Sequence, residues 1–313
     1  MFSELLGTRA LGESEALRQR FESAQPFRHV AIENFLEEKL CRDLIAEFPS
    51  FEAGNARNES GEAGGKAVHE NVRLLGDAYR QFDDLIRSAG FLKWLEDVTG
   101  IDGLRYDPDY VGGGTHENRF GQELDPHVDF NFHPITRLHR RLNLIVFLSD
   151  VWDPKWGGVL EFHRDPWDPH RDEVRAVAPA RNRCVIFETT ERSWHGFRRI
   201  EPPADMPAAT RKSLAVYFYT SERPPDETAP EHSTIYVPRP LPKRIEPGRT
   251  LDESDVTEIE VLLTRRDGQI RFLYHREQEL LDYITRINRS PSVRLAHFIA
   301  RPARWVRDWI RER

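Results

Sequence analysis

The chain has 313 residues, of which 39% are hydrophobic and 31% charged, and its formal net charge is −7 at pH 7. This length allows one large domain with an additional segment, and the acidic balance excludes a protein that binds nucleic acid through a strongly basic face. The only two cysteines, Cys41 and Cys184, lie far apart, which excludes a disulfide framework and favours a reducing, cytoplasmic location. The N-terminus lacks the apolar core of a signal peptide, and no apolar run is long enough to predict a membrane span.

Residues 1–100 are predicted to be mainly helical. Asn34 is expected to cap a helix over residues 35–48, and apolar side chains at helical spacing predict further helix over residues 78–98. Between these segments, residues 52–65 are rich in Gly, Asn and Glu, which predicts a loop.

From residue 101 to residue 222 the pattern changes to short apolar runs bounded by Gly, Pro, Asn and Asp. Several strands within so short a stretch predict a sandwich or a barrel. Residues 1–222 are therefore expected to form one α+β domain, with a helical part at 1–100 and a β part at 101–222. The clearest predicted strands are Leu142–Leu148, Val159–His163, Cys184–Phe187 and Leu214–Tyr219.

A Pro-rich joint is predicted over residues 223–250, followed by a helical extension over residues 251–313. Within residues 256–287, apolar side chains recur at alternating steps of three and four, and only Arg266 and Glu277 interrupt them. A heptad pattern of this length predicts either a homodimer or a long helix that packs on its own chain.

The end of the extension, residues 290–313, is a basic amphipathic stretch. Such a stretch can make peripheral contact with an anionic membrane or with a partner protein. A docked helix with a solvated arginine face is the alternative interpretation.

The candidate chemistry begins with His127 and Asp129, which are two residues apart and would share one face of a strand. His195, further along the chain, can supply a third ligand. Two histidines and one carboxylate leave coordination positions open and therefore suit an Fe(II) ion that binds other molecules. The H-x-D pattern alone is common, and nearby histidines remain alternative ligands or surface residues, namely His139, His163 and His170.

Arg211 and Ser213 form a second candidate pair, again two residues apart at the start of a predicted strand. A guanidinium beside a hydroxyl can bind a carboxylate end-on. Lys212 would point to the opposite face of the strand. The alternative is a strand that begins with a surface arginine.

The order of four segments resembles the prolyl-4-hydroxylase-like branch of the 2-oxoglutarate/iron(II)-dependent oxygenases, over about residues 26–221. These segments are HVD, RRLNLIVFLSDVWDPKWGGVLEF, NRCVIFETTERSWHGF and RKSLAVYFYT. The resemblance implies a double-stranded β-helix, which is a jelly-roll or cupin-like fold, consistent with the predicted strands. It also implies Fe(II), 2-oxoglutarate as co-substrate and O2, with ascorbate as a candidate reductant.

The same resemblance implies roles for particular residues. His127, Asp129 and His195 match the catalytic iron ligands. Arg211 matches the residue that binds the distal carboxylate of 2-oxoglutarate, with Ser213 assisting it.

Two further positions bear on the reaction. Tyr110 matches a position whose hydroxyl can reach the co-substrate, with a core tyrosine as the alternative. Phe147 stands where animal prolyl hydroxylases carry a second tyrosine, which weakens the case for a peptidyl-proline substrate. Because related halogenases lack the carboxylate ligand, Asp129 favours hydroxylation or another oxidation over halogenation.

The sequence therefore predicts a dioxygenase that hydroxylates a C–H bond of a small-molecule, glycan or protein substrate and releases succinate and CO2. Desaturation is an oxidation that the pattern does not separate from hydroxylation. Two alternatives remain: a cupin-like metalloenzyme that does not use 2-oxoglutarate, and a catalytically idle barrel that serves as a binding module.

Overall fold

The computed structural model describes residues 2–51, 66–206, 209–242 and 244–292. The chain divides into two compact units, Met1–Pro240 and Leu241–Arg313. The predicted loop over 52–65 and most of the predicted basic stretch, 293–313, lie outside the described residues.

The first unit is built around two antiparallel β-sheets. The strands are β1 (His29–Ile32), β2 (Ala67–His69), β3 (Arg105–Tyr106), β4 (Gly114–Asn118), β5 (Leu124–Val128), β6 (His139–Phe147), β7 (Leu160–His163), β8 (Val174–Val177), β9 (Cys184–Glu188), β10 (Trp194–Phe197), β11 (Arg211–Thr220) and β12 (Ile235–Tyr236). The larger sheet has the order β1-β9-β6-β11-β4-β2, with β3 also paired to β11, and the smaller sheet has the order β12-β5-β10-β7-β8. Two antiparallel sheets with a few helices are the α+β fold expected of a double-stranded β-helix, so the predicted fold class is confirmed.

Each face of the larger sheet is covered by a different layer. Helices cover one face, and the smaller sheet covers the other through a cluster that includes Phe147 and Phe187 from the larger sheet and Phe162 from the smaller. Because the central strands are buried on both faces, they read as continuous apolar runs rather than as alternating ones. This is why β6, β9 and β11 could be predicted from the sequence.

The helices of the first unit lie mostly before the sheets in the chain. They are α1 (Phe2–Leu5), α2 (Thr8–Gly12), α3 (Ser14–Ser23), α4 (Glu38–Ala46), α5 (Asp77–Ile86) and α6 (Ala89–Thr99). The helix predicted over 35–48 begins later than expected, because the side chain of Glu37 accepts hydrogen bonds from the backbone N–H groups of Lys39 and Leu40. Asn34 therefore is not the N-cap; it lies in the preceding turn with a positive φ of 50°.

The helical pattern predicted over 78–98 is divided between α5 and α6. Ser88 caps α6 by accepting a hydrogen bond from the N–H of Phe91, and Gly100 ends the helix in a left-handed conformation. These are the residue types that favour helix ends, so the break between the two helices follows from local backbone chemistry.

The Pro-rich segment over 223–250 contributes to both units. Its strand β12 pairs with β5, placing Tyr236 opposite His127, and the first unit continues to Pro240. The first part of this segment therefore belongs to the two-sheet unit.

The second unit contains one long helix, α7 (Glu253–Arg289). Asp252 and Asp255 form a reciprocal capping box at its start, and Arg244 and Arg249 each donate to the buried carboxylate of Asp255. No helix among the described residues is long and apolar enough to cross a bilayer.

Candidate active site

The structure brings His127, Asp129 and His195 together on the smaller sheet. His127 lies on β5 and His195 on β10, where antiparallel pairing places the two residues directly opposite each other. Asp129 is the first residue after Val128, the end of β5. One ligand atom from each of the three side chains lies within 4.8 Å of the other two. Strand pairing thus joins residues that are far apart in the sequence.

Hydrogen bonds to the backbone orient both imidazoles. Nδ1 of His127 donates to the carbonyl of Asp125 at 3.0 Å, and Nδ1 of His195 donates to the carbonyl of Ser193 at 2.9 Å. With the proton held on Nδ1, each Nε2 presents a lone pair. These Nε2 atoms lie 3.8 and 3.5 Å from the two carboxylate oxygens of Asp129. Two lone pairs and a carboxylate that converge in this way fit a divalent cation.

Burial disfavours the charged form of both histidines. It is the main cause that lowers the pKa of His127 to about 3, with the nearby His195 as a further cause. Burial likewise lowers the pKa of His195. A neutral imidazole is the form that binds a metal ion, so His127 has no proton to release at neutral pH, and the environment of His195 favours the same neutral form.

Two residues of β6 hold the carboxylate of Asp129. Nη2 of Arg140 lies 3.2 Å from Oδ2 of Asp129, and Nδ2 of Asn143 donates to the same oxygen at 2.9 Å. Arg140 in turn donates to Oδ1 of Asn143, and its guanidinium lies 3.6 Å from the ring centre of Tyr217. Burial on its own would raise the pKa of Asp129, but Arg140 and the two imidazoles hold it below its ordinary value.

A second cluster of possible metal ligands is formed by Asp107, Asp109 and His133. Here Nδ1 of His133 accepts hydrogen bonds from the backbone N–H groups of Ile135 and Thr136, at 3.2 and 3.1 Å. The neutral ring must then carry its proton on Nε2, which lies 3.4 Å from Asp107. A proton occupies the position that a metal would need, so this cluster is a structural hydrogen-bond network.

Arg211, at the start of β11, is a buried cation that has no carboxylate partner among the described residues. Its Nε donates to the carbonyl of Gly158 at 2.7 Å, and its guanidinium lies 5.0 Å from the ring centre of Phe147 and 4.6 Å from that of Phe197. Burial lowers the pKa of Arg211 to about 10, so it stays charged at neutral pH. In the part of the chain that the structure describes, no carboxylate forms an ion pair with it. An anionic ligand would supply the missing charge.

Ser213 and His116 lie beside Arg211. Ser213 is buried and pairs with His116 across β11 and β4, so both side chains share the sheet face of Arg211. Burial, followed by the charges of Lys66 and Arg211, lowers the pKa of His116 well below its ordinary value. Nε2 of His116 is buried and has no hydrogen-bond partner among the described residues. Lys212 points the other way and contacts Phe48, as its position in the strand predicts.

Tyr110 lies in the helical core. Its side chain is buried, and its hydroxyl donates to Oδ1 of Asp83 on α5 at 3.0 Å. Tyr106 donates to the same oxygen. The hydroxyl of Tyr110 is therefore already engaged.

Four residues of the site were not singled out from the sequence as site residues: Arg140, Asn143, Gly158 and His116. Asn143 lies in the predicted strand Leu142–Leu148 and was assigned only to that strand, and Arg140 lies two residues before it. Gly158 has a positive φ of 63°, and a Cβ at this position would lie 3.0 Å from Cδ of Arg211 and 2.9 Å from Trp152. The detectable signal in the sequence was the Gly157-Gly158 pair, since a Gly-Gly pair before a strand indicates a turn.

A small cavity adjoins Asp129 on the side of Asn131, Thr189, Thr190 and Arg223. Oγ1 of Thr189 and Nε of Arg223 are buried and lack a hydrogen-bond partner among the described residues, and Nε of Arg223 lies 3.7 Å from Oε2 of Glu227. A polar group without a hydrogen-bond partner at the edge of a metal site can receive a polar ligand.

Comparison with known proteins finds one family model that matches the part of the chain containing this site. Residues 114–219 match the model of the 2OG-Fe(II) oxygenase superfamily, a range that includes the three candidate metal ligands, Arg211 and Ser213. No curated protein matches the chain in sequence.

Solved structures give weaker likenesses. A Pseudomonas putida prolyl-4-hydroxylase is 18% identical, with 66% of this chain and 99% of that chain covered at a TM-score of 0.44. HygX from Streptomyces hygroscopicus, with nickel, 2-oxoglutarate and hygromycin B bound, is 13% identical, with 71% and 95% covered at 0.45. A Trichoplax adhaerens prolyl hydroxylase in complex with a peptide is 12% identical, with 68% and 93% covered at 0.44. At TM-scores below 0.5 these likenesses carry no argument about the substrate.

Proposed function

We propose that this chain is an oxygenase that uses Fe(II), 2-oxoglutarate and O2, as the match of residues 114–219 to the 2OG-Fe(II) oxygenase model supports, and that its own residues serve this chemistry as follows. His127, Asp129 and His195 hold Fe(II), and Arg211 binds the distal carboxylate of 2-oxoglutarate with Ser213 beside it. Bound together, the metal, the co-substrate and O2 supply the oxidising power for C–H hydroxylation, with succinate and CO2 as the co-products. Tyr110 is left out of this set because Asp83 engages its hydroxyl.

The observation that carries the proposal is the buried guanidinium of Arg211. Phe197, which it contacts, is two residues after His195 on β10 and projects from the same face of the strand. Two residues of a strand span about 7 Å, so a short dicarboxylate could reach from the metal ligands to Arg211. A metalloenzyme that does not use 2-oxoglutarate has no need for a cation in this position.

In the proposed reaction the protein holds the metal ligands in one protonation state and orientation and keeps water away from Arg211. Backbone carbonyls keep the protons of His127 and His195 on Nδ1, so that Nε2 stays available. Arg140 and Asn143 hold Asp129 in one orientation. Phe147 and Phe197 exclude water around Arg211, which strengthens its attraction for a carboxylate.

We propose that the substrate enters beside Asp129 and presents a polar group to Thr189 and Arg223. Both side chains line the adjoining cavity and have polar atoms without hydrogen-bond partners among the described residues. Succinate release can be compared between polyhydroxylated or charged candidates and apolar ones. We expect turnover with the polar set, and Thr189→Val should raise the KM for the substrate but not for 2-oxoglutarate.

The adjacent strand residues Arg211 and Lys212 provide a matched test of the co-substrate site. We expect Arg211→Ala to raise the KM for 2-oxoglutarate by about 100-fold, because truncation removes a buried charge partner. Lys212→Ala should change it little, since this side chain points to the opposite face. If Arg211→Ala leaves the 2-oxoglutarate dependence unchanged while thermal unfolding shows a folded protein, the cupin-like metalloenzyme is the better interpretation. An absence of metal binding and of succinate release in the wild type would favour the idle barrel.

The helical extension over 251–313 is proposed to mediate contacts with other molecules. A homodimer through residues 256–287 and a peripheral membrane or partner contact through residues 290–313 are the two forms predicted from the sequence. Most of the second segment lies outside the described residues, so its contact stays a prediction from its arginine-rich, amphipathic pattern.

A further inference from the structure

Helix α7 exposes an apolar seam to solvent along most of its length. The seam consists of eight apolar residues, Val256, Ile259, Leu263, Ile270, Leu273, Leu280, Ile284 and Ile287, interrupted by Arg266 and Glu277. Ile259 is half-buried, and the other seven are between 40% and 64% exposed. At a rise of 1.5 Å per residue the seam is about 46 Å long. Within the second unit, the described residues leave most of this face exposed, so a partner is needed to bury it.

The two interruptions differ in charge and in heptad position. Val256, Leu263, Ile270, Glu277 and Ile284 occupy the first apolar position of successive heptads, and the other five members of the seam, including Arg266, occupy the second. Arg266 and Glu277 are eleven residues apart, or about 16 Å along the helix, and cannot pair with each other within one chain. Neither has an ion-pair partner in the part of the chain that the structure describes.

We propose that α7 binds a second copy of this chain as an antiparallel, two-fold symmetric coiled coil. In such a pair the first apolar position of one helix faces the second of the other. With the two-fold axis between Arg271 and Phe272, Arg266 of each chain faces Glu277 of the other. Each interruption of the seam then meets the opposite charge.

The same register aligns every apolar member of the seam with an apolar partner. Its facing pairs are Val256 with Ile287, Ile259 with Ile284, Leu263 with Leu280, and Ile270 with Leu273, each formed twice by symmetry. Gly268 lies on the outer side of the helix in this arrangement, where a small residue loses no packing. The pairing therefore accounts for all ten positions of the seam with one rotation axis.

Other arrangements of the two helices leave charges opposed or unpaired. In a parallel dimer Arg266 would face Arg266 and Glu277 would face Glu277, and facing like charges are strongly unfavourable. An antiparallel register shifted by one heptad would set Arg266 against Ile270 or Ile284. The charges thus select both the orientation and the register.

Charge exchange in the full-length chain tests the pairing. By sedimentation equilibrium at physiological salt, the wild type should have twice its chain mass of 36.5 kDa. Arg266→Glu and Glu277→Arg should each weaken the dimer by roughly 100-fold, because each places like charges in both facing pairs. The double variant should restore the dimer, and a mixture of the two single variants should form a heterodimer. Arg271→Glu, outside the seam, is the matched control and should leave the dimer intact.

Cysteine cross-linking tests the orientation. Both natural cysteines are free and buried, so they give little background. Leu263→Cys mixed with Leu280→Cys should form an interchain disulfide, whereas either variant alone should not. Leu263→Cys linking to itself would show a parallel dimer and overturn the proposal. So would a monomeric wild type, which would mean that residues 293–313 or another molecule cover the seam, and so would a dimer insensitive to both charge exchanges.

Discussion

The two His–Asp clusters of this fold, one at His127 and one at His133, differ in what the backbone offers the imidazole. In both, ligand atoms of three histidine and aspartate side chains lie within 4.8 Å of one another. At His127 a carbonyl accepts from Nδ1 and frees Nε2, whereas at His133 two N–H groups donate to Nδ1 and force the proton onto Nε2. Proximity of ligand-type residues therefore does not define a metal site; the tautomer fixed by the backbone decides it.

The largest effect is expected when one histidine of each cluster is removed in turn. His127→Ala should abolish the visible absorption band that forms anaerobically with Fe(II) and 2-oxoglutarate, and should lower turnover by at least about 10³-fold, because one of the three ligands is lost. His133→Ala should leave both the band and one bound metal per chain. A band lost equally in both variants would show that the tautomer argument does not distinguish the clusters.

The second prediction concerns how the two carboxylates are held. Asp129 accepts from the side chains of Asn143 and Arg140, whereas Asp107 accepts from the backbone N–H groups of Asp109 and Val111. Asn143→Leu should therefore weaken metal binding by about 10- to 100-fold, the range typical when a hydrogen-bond partner of a ligand is lost. Mn(II) titration gives the affinity.

Asp109→Asn is the matched control, since Asp109 is exposed and belongs only to the second cluster. It should leave the Mn(II) affinity within about twofold of wild type, as is usual for a surface substitution. An unchanged affinity in Asn143→Leu would mean that Arg140 alone is sufficient to hold Asp129.

The hydrogen bonds that hold Asp129 could not be predicted from the sequence, whereas the metal ligands themselves could. His127, Asp129 and His195 stood out because their spacing and residue types are metal-ligand patterns, and Arg211 with Ser213 followed from strand periodicity. The fold class followed from the apolar runs of β6, β9 and β11. Each of these signals is local in the sequence or repeats with a simple period.

The contacts that could not be predicted depend on register or on backbone direction. Asn143 reaches Asp129 only because its side chain projects from β6 toward the end of β5. His116 lies beside Ser213 only because β4 pairs with β11 in one register. The N-cap of α4 was wrongly assigned to Asn34 because a glutamate, Glu37, took that role three residues later. Strand β12 has only two residues, too few for any pattern.

The third prediction concerns the second cluster and the contribution of His133 to the stability of the fold. His133→Leu leaves the N–H groups of Ile135 and Thr136 without their acceptor, and His133 is 2% exposed. We expect the free energy of unfolding to fall by about 1–3 kcal/mol, the net contribution of two hydrogen bonds to the buried imidazole, with no change in metal stoichiometry. Urea denaturation of the metal-free protein measures it, and His133→Asn, which can still offer an acceptor oxygen, should lose less.

The smallest effect is expected when the pH is lowered from 7.5 to 6 and the Mn(II) affinity is measured. A small change is informative because ordinary histidines would give a large one. Two histidines of ordinary pKa would lose roughly tenfold in metal affinity between pH 7.5 and pH 6, since protons would compete for their lone pairs. Burial instead lowers the pKa of His127 to about 3, so this ring stays neutral throughout this window, and burial lowers the pKa of His195 in the same direction. Because His127 has no proton to displace and His195 holds a proton less readily than a free imidazole does, the Mn(II) affinity should fall by much less than about tenfold. A tenfold loss, with one or two protons released per metal bound at pH 6, would show that the imidazoles are exposed to protonation before the metal arrives. The neutral form of the two rings, with the proton on Nδ1, would then be adopted only when the metal binds and would not be fixed by the fold alone.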